Sequence, residues 1–370
     1  GAADMAEQLG LEQLVGQRAA VDGNERAAPA AAVVAPVAPV AEQQVQAPAP
    51  VEPAPQPVEL VYPYLDTANS RWFYFSSAAR PFGMVSLFPD TEQVGEWGSG
   101  YRYNSDTVQG FNHIHEWQLA GLSVMPLSST APLATLKQDY ASAFSHQGEV
   151  VQPGFHQLHL QRYQLDVALT ATSRVGFHQY RYAKDQPQQV LFQLGGLMGP
   201  SQLGHAEAWL QDEYSLAGFI TNQGTERRTK PVRVYFYAQF NQPIAKLDAW
   251  RGDMAFSNVQ GVNGDNAGVI VQLKGQSAPT LMKVAISYVS AENAKLNMAT
   301  ELPHWDFARV QQEAKQEWNS LLSNIQIKGG SEQQQRRFYT DLWHALQGRR
   351  AISDVNGQYP DNSGQQTRVG

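Results

Sequence analysis

The stretch Leu281-Met-Lys-Val-Ala-Ile-Ser-Tyr288 decides the fold class. Its aliphatic, β-branched and aromatic residues partly alternate with polar ones, as in a strand rather than a helix. The same reading holds outward from it. Residues 167–172, 177–182, 189–194, 232–238 and 269–273 form similar runs. Gly195-Gly196, Asn222-Gln-Gly224 and Asn263-Gly-Asp265 punctuate them as turns. No strand–helix–strand alternation appears, so an antiparallel β-sandwich, rather than a doubly wound sheet, is expected over residues 59–300.

Helix signals follow. Phe307, Val310, Ala314, Trp318, Leu321 and Leu322 stand at helical spacing between Asp306 and Leu322, in a linker region of residues 301–330. Ser331 reads as the N-cap of a further helix carrying Phe338, Leu342, Ala345 and Leu346, with Gly348 as its stop. A single helix cannot bury its own apolar stripe, so residues 331–370 read as the start of a helical domain whose partner helices lie elsewhere. Residues 353–370 read as a polar loop.

Before the sandwich, residues 1–58 read as a tether. Residues 1–26 show only a weak amphipathic pattern, with no basic segment leading into an apolar run as an export signal would have. From Ala27 to Val58 the chain is almost wholly Ala, Pro, Val, Gln and Glu. Proline fixes φ and removes a donor, so an extended, disordered segment is expected there.

Composition narrows the function. The chain has 370 residues, 42% of them hydrophobic, enough for a large core. With 27 basic against 34 acidic residues and a net charge of -7, nucleic acid is not the expected partner. No apolar run reaches the length of a membrane span. Cysteine is absent, which excludes disulfides, thiolate metal sites and cysteine nucleophiles. Neither GxxxxGK[ST] nor GxSxG occurs.

The most unusual region for chemistry runs from Pro81 to Pro126, a stretch dense in aromatics, glycines and histidines that reads as an irregular loop face above a sheet. Trp97, between Gly95 and Gly98, can stack on the C–H face of a sugar or pack in a loop. His113 and His115 share one face of a strand, the spacing of a metal pair, with His146, His156, His159, His178 and His205 as possible third ligands. Backbone hydrogen bonding and substrate contact are the competing roles. Asp354 and Asp361 sit in a tail whose carboxylates can act as acid and base, bind calcium, or stay solvated in a turn.

The ordered motifs resemble glycoside hydrolase family 92, the calcium-dependent, inverting exo-α-mannosidases. They are Tyr62-Pro-Tyr64, the Pro81–Thr91 segment, Ser99–Tyr103, Gly110–His115 and Gly121–Pro126. Then come Leu169–Tyr180, Ile286–Ser290, Trp305-Asp-Phe307, Phe338-Tyr-Thr340 and Ser353-Asp-Val-Asn-Gly357. Together they run from about residue 60 to 361. Two segments depart from the family pattern, Ser70–Ser76 and His113–Gly121.

The resemblance implies a mainly β chain: an N-terminal β-sandwich, linker helices and the truncated start of an (α/α)6 barrel. It implies hydrolysis of terminal α-mannose from a mannose-containing glycan, with general acid, general base and most calcium ligands in barrel residues beyond these. It makes Trp97 the ring that packs on mannose and Asp354 the carboxylate that binds its hydroxyls, with His113 and His115 as nearby candidates. The 370 residues alone are then expected to be inactive, and the protein to be secreted or periplasmic. A non-catalytic carbohydrate-binding sandwich and a structural module are the alternatives.

Overall fold

The computed structural model describes residues 36, 38–39, 41, 44–65, 67, 76–92, 100–116, 118–347, 351–360 and 366–368. Two compact units divide the chain, Gly1–Pro53 and Ala54–Gly370. In the first, residues 44–53 are exposed and without regular structure.

The second unit is built on two antiparallel sheets. The seven-stranded sheet runs, in spatial order, through residues 88–90, 110–116, 119–127, 189–193, 267–273, 244–251 and 254–256. The eleven-stranded sheet runs through 196–198, 201–203, 215–222, 232–240, 280–287, 175–181, 165–171, 155–160 and 150–152. Strand 206–212 pairs both 215–222 and 261–264 beside that path. Inner faces of both sheets share one hydrophobic cluster, where Phe192 of the first stacks on Phe236 of the second at 5.9 Å. The architecture is the expected sandwich, and the six expected strands lie within a few residues of their expected bounds.

Strand Thr280–Ser287 shows why its alternation is only partial. Both of its faces are buried. Met282, Val284 and Ile286 enter the inter-sheet core, while Leu281 and Ala285 enter a second cluster against helix Ala291–Glu301 and Phe307. Lys283 and Ser287 share that second side. Lys283 donates to the Leu302 carbonyl at 2.9 Å and lies over the Trp305 ring.

Four expectations change. Residues 110–127 are not an irregular loop face: Gly110–Glu116 and Leu119–Leu127 pair as a hairpin inside the first sheet. The helix at Glu332–Leu346 starts from the expected Ser331 cap but is not left without cover. It buries Tyr339, Thr340 and Trp343 against helix Phe307–Leu322 and the short helix Pro57–Leu60. Trp343 meets Trp318 edge-on at 6.3 Å, and Thr340 accepts from the Tyr62 amide. Pro57, read as the end of the tether, is the first residue of that short helix, where a missing N–H costs nothing. The tail is not wholly loop, since Gln358–Pro360 and Gln366–Arg368 form a hairpin. Gly348 lies outside the described residues.

Candidate functional site

Asp354 is brought to a polar junction by three separate parts of the chain. Strand Thr280–Ser287 supplies Ser287, helix Ala291–Glu301 supplies Asn293 and Asn297, and Asp354 opens the Asp354–Gly357 turn. Its Oδ2 accepts from the Ser287 hydroxyl at 2.6 Å and from Asn293 Nδ2 at 2.8 Å. Its Oδ1 accepts from Asn297 Nδ2 at 2.9 Å. The residue is only 2% exposed.

The backbone around it is held too. Its own N–H donates to the Gln358 carbonyl, and its carbonyl accepts from Gly357. Gly357 has φ of 81°, a left-handed conformation that a side chain would strain, so glycine is what lets the chain turn there. The Val355 N–H donates to Asn297 Oδ1, so one asparagine fixes both the carboxylate and the peptide after it. A carboxylate offers about four lone pairs. Three are met by described residues, and the remaining one belongs to Oδ1.

The spacing of His113 and His115 suggests a shared strand face, but it is His113 that faces the interior of the sandwich, against His178 of the second sheet. His113 is fully buried. Its Nδ1 is 2.7 Å from the Leu122 carbonyl, which makes Nδ1 the protonated nitrogen. Its Nε2 is 2.9 Å from His178 Nε2, which must then be the donor. His178 Nδ1 is left to accept from the Tyr180 hydroxyl at 2.9 Å. Gly176 makes room for this contact: a Cβ there would stand 2.8 Å from the His113 ring. From this position His113 reaches neither sugar nor metal. His115 is 8% exposed and stacks on Phe88.

The relay has a consequence for pH. An extra proton on His113 would set N–H against N–H, and one on His178 Nδ1 would oppose the Tyr180 hydroxyl that donates to it. Burial pushes His113 down to about 4 and His178 well below its ordinary value. Between about pH 6.5 and 4 the unfolded chain therefore binds more protons than the folded one, so stability falls as pH falls through that window. His113 alone should cost about 3 kcal/mol by pH 4, at about 1.4 kcal/mol per pKa unit. Denaturant titrations between pH 7 and 4 should show this loss, and a His178→Gln variant a shallower one. A midpoint that does not move with pH in the wild-type protein would contradict the relay.

A second polar cluster gathers around Glu149, a residue the sequence did not mark. The Glu149 side chain is fully buried, and its Oε1 accepts from Tyr64 (2.7 Å), Tyr101 (2.9 Å) and His146 Nδ1 (2.7 Å). Its Oε2 accepts from His156 Nε2 at 2.8 Å. Ser77 meets the other side of His156 at 2.6 Å. Burial pushes the Glu149 carboxyl up, but the hydrogen bonds from His146, His156 and Tyr64 outweigh it and hold it well below the usual range. His146 faces acceptors at both nitrogens, Glu149 and the Tyr103 carbonyl at 2.6 Å. Burial opposes its proton, yet those two acceptors raise its pKa above the ordinary value.

The remaining predicted residues are dispersed. His159 pairs with Asp166 at 2.8 Å, and His205 lies 3.8 Å from Glu207, both partly or largely exposed. Trp97 and Asp361 lie outside the described residues. Among the described residues no three His, Asp or Glu side chains group to hold a metal. Three of Asp354's lone pairs already face N–H and O–H donors. These residues do not make the oxygen cage of a calcium ion, which needs six to eight ligands.

Residues 60–287 match the profile of the glycosyl hydrolase family 92 N-terminal domain. The chain belongs to glycosyl hydrolase family 92. Residues 293–369 match the profile of the family's catalytic domain. Among solved structures, the chain is similar to the family 92 α-mannosidase BT3965 from Bacteroides thetaiotaomicron, with 20% identity and a TM-score of 0.76 over 86% of this chain and 45% of that one. BT3965 has also been solved in complex with mannoimidazole. The family 92 inverting mannosidase BT2199 from Bacteroides thetaiotaomicron VPI-5482 gives 21% identity and a TM-score of 0.70, over 84% and 41%. The family 92 glycosyl hydrolase ccman5 gives 20% and 0.74, over 85% and 44%. The chain therefore spans less than half the length of these structures. No protein of curated function matches the sequence.

The polar junction links the family motifs. Ser287 lies in the Ile286–Ser290 motif and Asp354 in the Ser353–Gly357 motif. Asn293 and Asn297 belong to no quoted motif. Their signal was the Ser290 N-cap followed by polar residues four apart.

Proposed function

We propose that this family 92 chain supplies the sugar-holding share of an inverting exo-α-mannosidase site that removes terminal α-linked mannose from glycans. The observation that carries this reading is Asp354, a buried carboxylate oriented by three neutral donors, with one Oδ1 lone pair not met among the described residues. Such a group is built to accept one hydrogen bond in one direction, as from a sugar hydroxyl. Trp97 supplies the flat apolar ring for the opposite demand, the C–H face of the pyranose. The α-mannosidase neighbours, one of them solved with mannoimidazole, support mannose as the sugar.

Inversion needs a carboxylic acid that protonates the leaving oxygen and a carboxylate that activates water on the opposite face, about 6.5–9.5 Å apart. Asp354 suits neither role, because its neighbours fix it as a hydrogen-bond acceptor. Those two groups are proposed for residues outside this chain, along with the oxygens for the calcium that would bind and orient sugar hydroxyls. A glycan substrate fits a secreted or periplasmic protein.

The division of labour is tested by incubating the purified 370-residue chain with an aryl α-mannoside, with and without calcium. No release of mannose is expected. Calcium-dependent release would show that proton-moving groups lie within these residues and would overturn it.

A further inference from the structure

Helix Ala291–Glu301 places Asn293, Asn297 and Glu301 at intervals of four, so the three side chains form one polar stripe. The first two hold the Asp354 carboxylate. The third reaches the same segment through a different residue. Glu301 Oε2 accepts from Arg174 Nη1 at 2.6 Å, and its Oε1 accepts from the Arg174 backbone N–H at 2.8 Å. The Thr172 hydroxyl donates to Oε1 as well, at 2.7 Å. Arg174 is thus gripped at its main chain and its guanidinium by one carboxylate. Its free Nε–H donates to the Ser353 carbonyl at 2.7 Å, the peptide directly before Asp354. Both side chains of the ion pair are mostly buried, at 18% and 14% exposed.

We infer that Arg174, locked by Glu301, is a positioning residue for Asp354, and that its hold on the Ser353 carbonyl sets the direction in which Oδ1 meets a sugar hydroxyl. The inference rests on the sugar-holding role proposed above. Two observations favour it over plain structural support. The network converges on a carboxylate that has no cation among the described residues, an arrangement that costs stability where an apolar residue would add to it. It also ties together three segments far apart in sequence: 172–174, the 291–301 helix and 353–355. The Ser173 carbonyl between Thr172 and Arg174 accepts from Met84 and Val85, so the turn that carries the guanidinium is itself anchored.

The test uses the whole chain with Glu301→Gln and, as a milder change, Arg174→Lys. Hydrogen–deuterium exchange reads the Asp354 and Val355 amides, and calorimetry reads methyl α-mannoside affinity. In Glu301→Gln, loss of a charge-assisted pair should speed exchange at 354–355 and weaken affinity, each by roughly 10- to 100-fold. Arg174→Lys should fall between this variant and wild type, because an ammonium keeps a donor without the fork. Exchange in strand 232–240 should stay as in wild type. Unchanged exchange at 354–355 overturns the inference, and so does faster exchange with affinity intact. If the wild-type chain binds no mannoside, the sugar-holding reading fails, and exchange at 354–355 alone decides whether Arg174 holds the segment.

Discussion

Glu149→Ala should cost the domain about 3–5 kcal/mol, the largest single-residue loss expected in this chain. Total stabilities of about 5–15 kcal/mol make that a large share. The reason is the number of groups the carboxylate satisfies. Its removal leaves two tyrosine hydroxyls and two imidazole N–H groups facing a cavity, with His146 deprived of the acceptor that favours its proton. Glu149→Gln should also destabilise, because one amide end must turn an N–H towards groups that already donate. Tyr64→Phe removes one hydroxyl and should cost only about 1 kcal/mol. Urea denaturation of the three variants checks the ranking. Midpoints of Glu149→Ala and wild type within about 1 kcal/mol of each other, at equal slope, would show that the cluster is not what ties its surroundings together.

Asp354→Ala should weaken α-mannoside binding by about 10- to 100-fold, since a hydrogen bond to a charged group contributes about 1.5–3 kcal/mol. The substitution removes the acceptor and releases Ser287, Asn293 and Asn297 from their common target. Trp97→Ala should weaken binding by about 10-fold through loss of its stacking surface. Neither change should unfold the sandwich, whose core lies between the two sheets. Calorimetric titration with a parallel thermal melt separates the two effects. Affinity retained in Asp354→Ala would remove this residue from the site.

The strands were legible where burial is apolar. Val232–Phe240 and Thr280–Ser287 carry β-branched and aromatic residues because their side chains fill the inter-sheet core. The Gly110–Leu127 hairpin was not, because Asn112, His113, His115 and Ser123 are buried polar residues with partners or positions that only the folded chain supplies. Helix Ala291–Glu301 escaped periodicity for the same reason: Asn293 and Asn297 line its buried face, so it has almost no apolar stripe. The stripe of Phe307–Leu322 was plain, with Val310, Ala314 and Trp318 all buried.

The site divides along the same line. Asp354 could be singled out by the motif that contains it, but its partners come from positions 57 to 67 residues away. No local pattern links them. The spacing of His113 and His115 suggested a shared face, and only the folded chain could show His113 in the core against His178 and His115 against Phe88. Glu149 has no signature at all, because its meaning lies in Tyr64, Tyr101, His146 and His156 arriving around it.

Titration of the unmodified chain with methyl α-mannoside in a calorimeter bears most directly on whether these residues grip a mannosyl ring. Saturable heat at one sugar per chain, without any released mannose, is the outcome expected. A flat titration from a chain that melts cooperatively would contradict it.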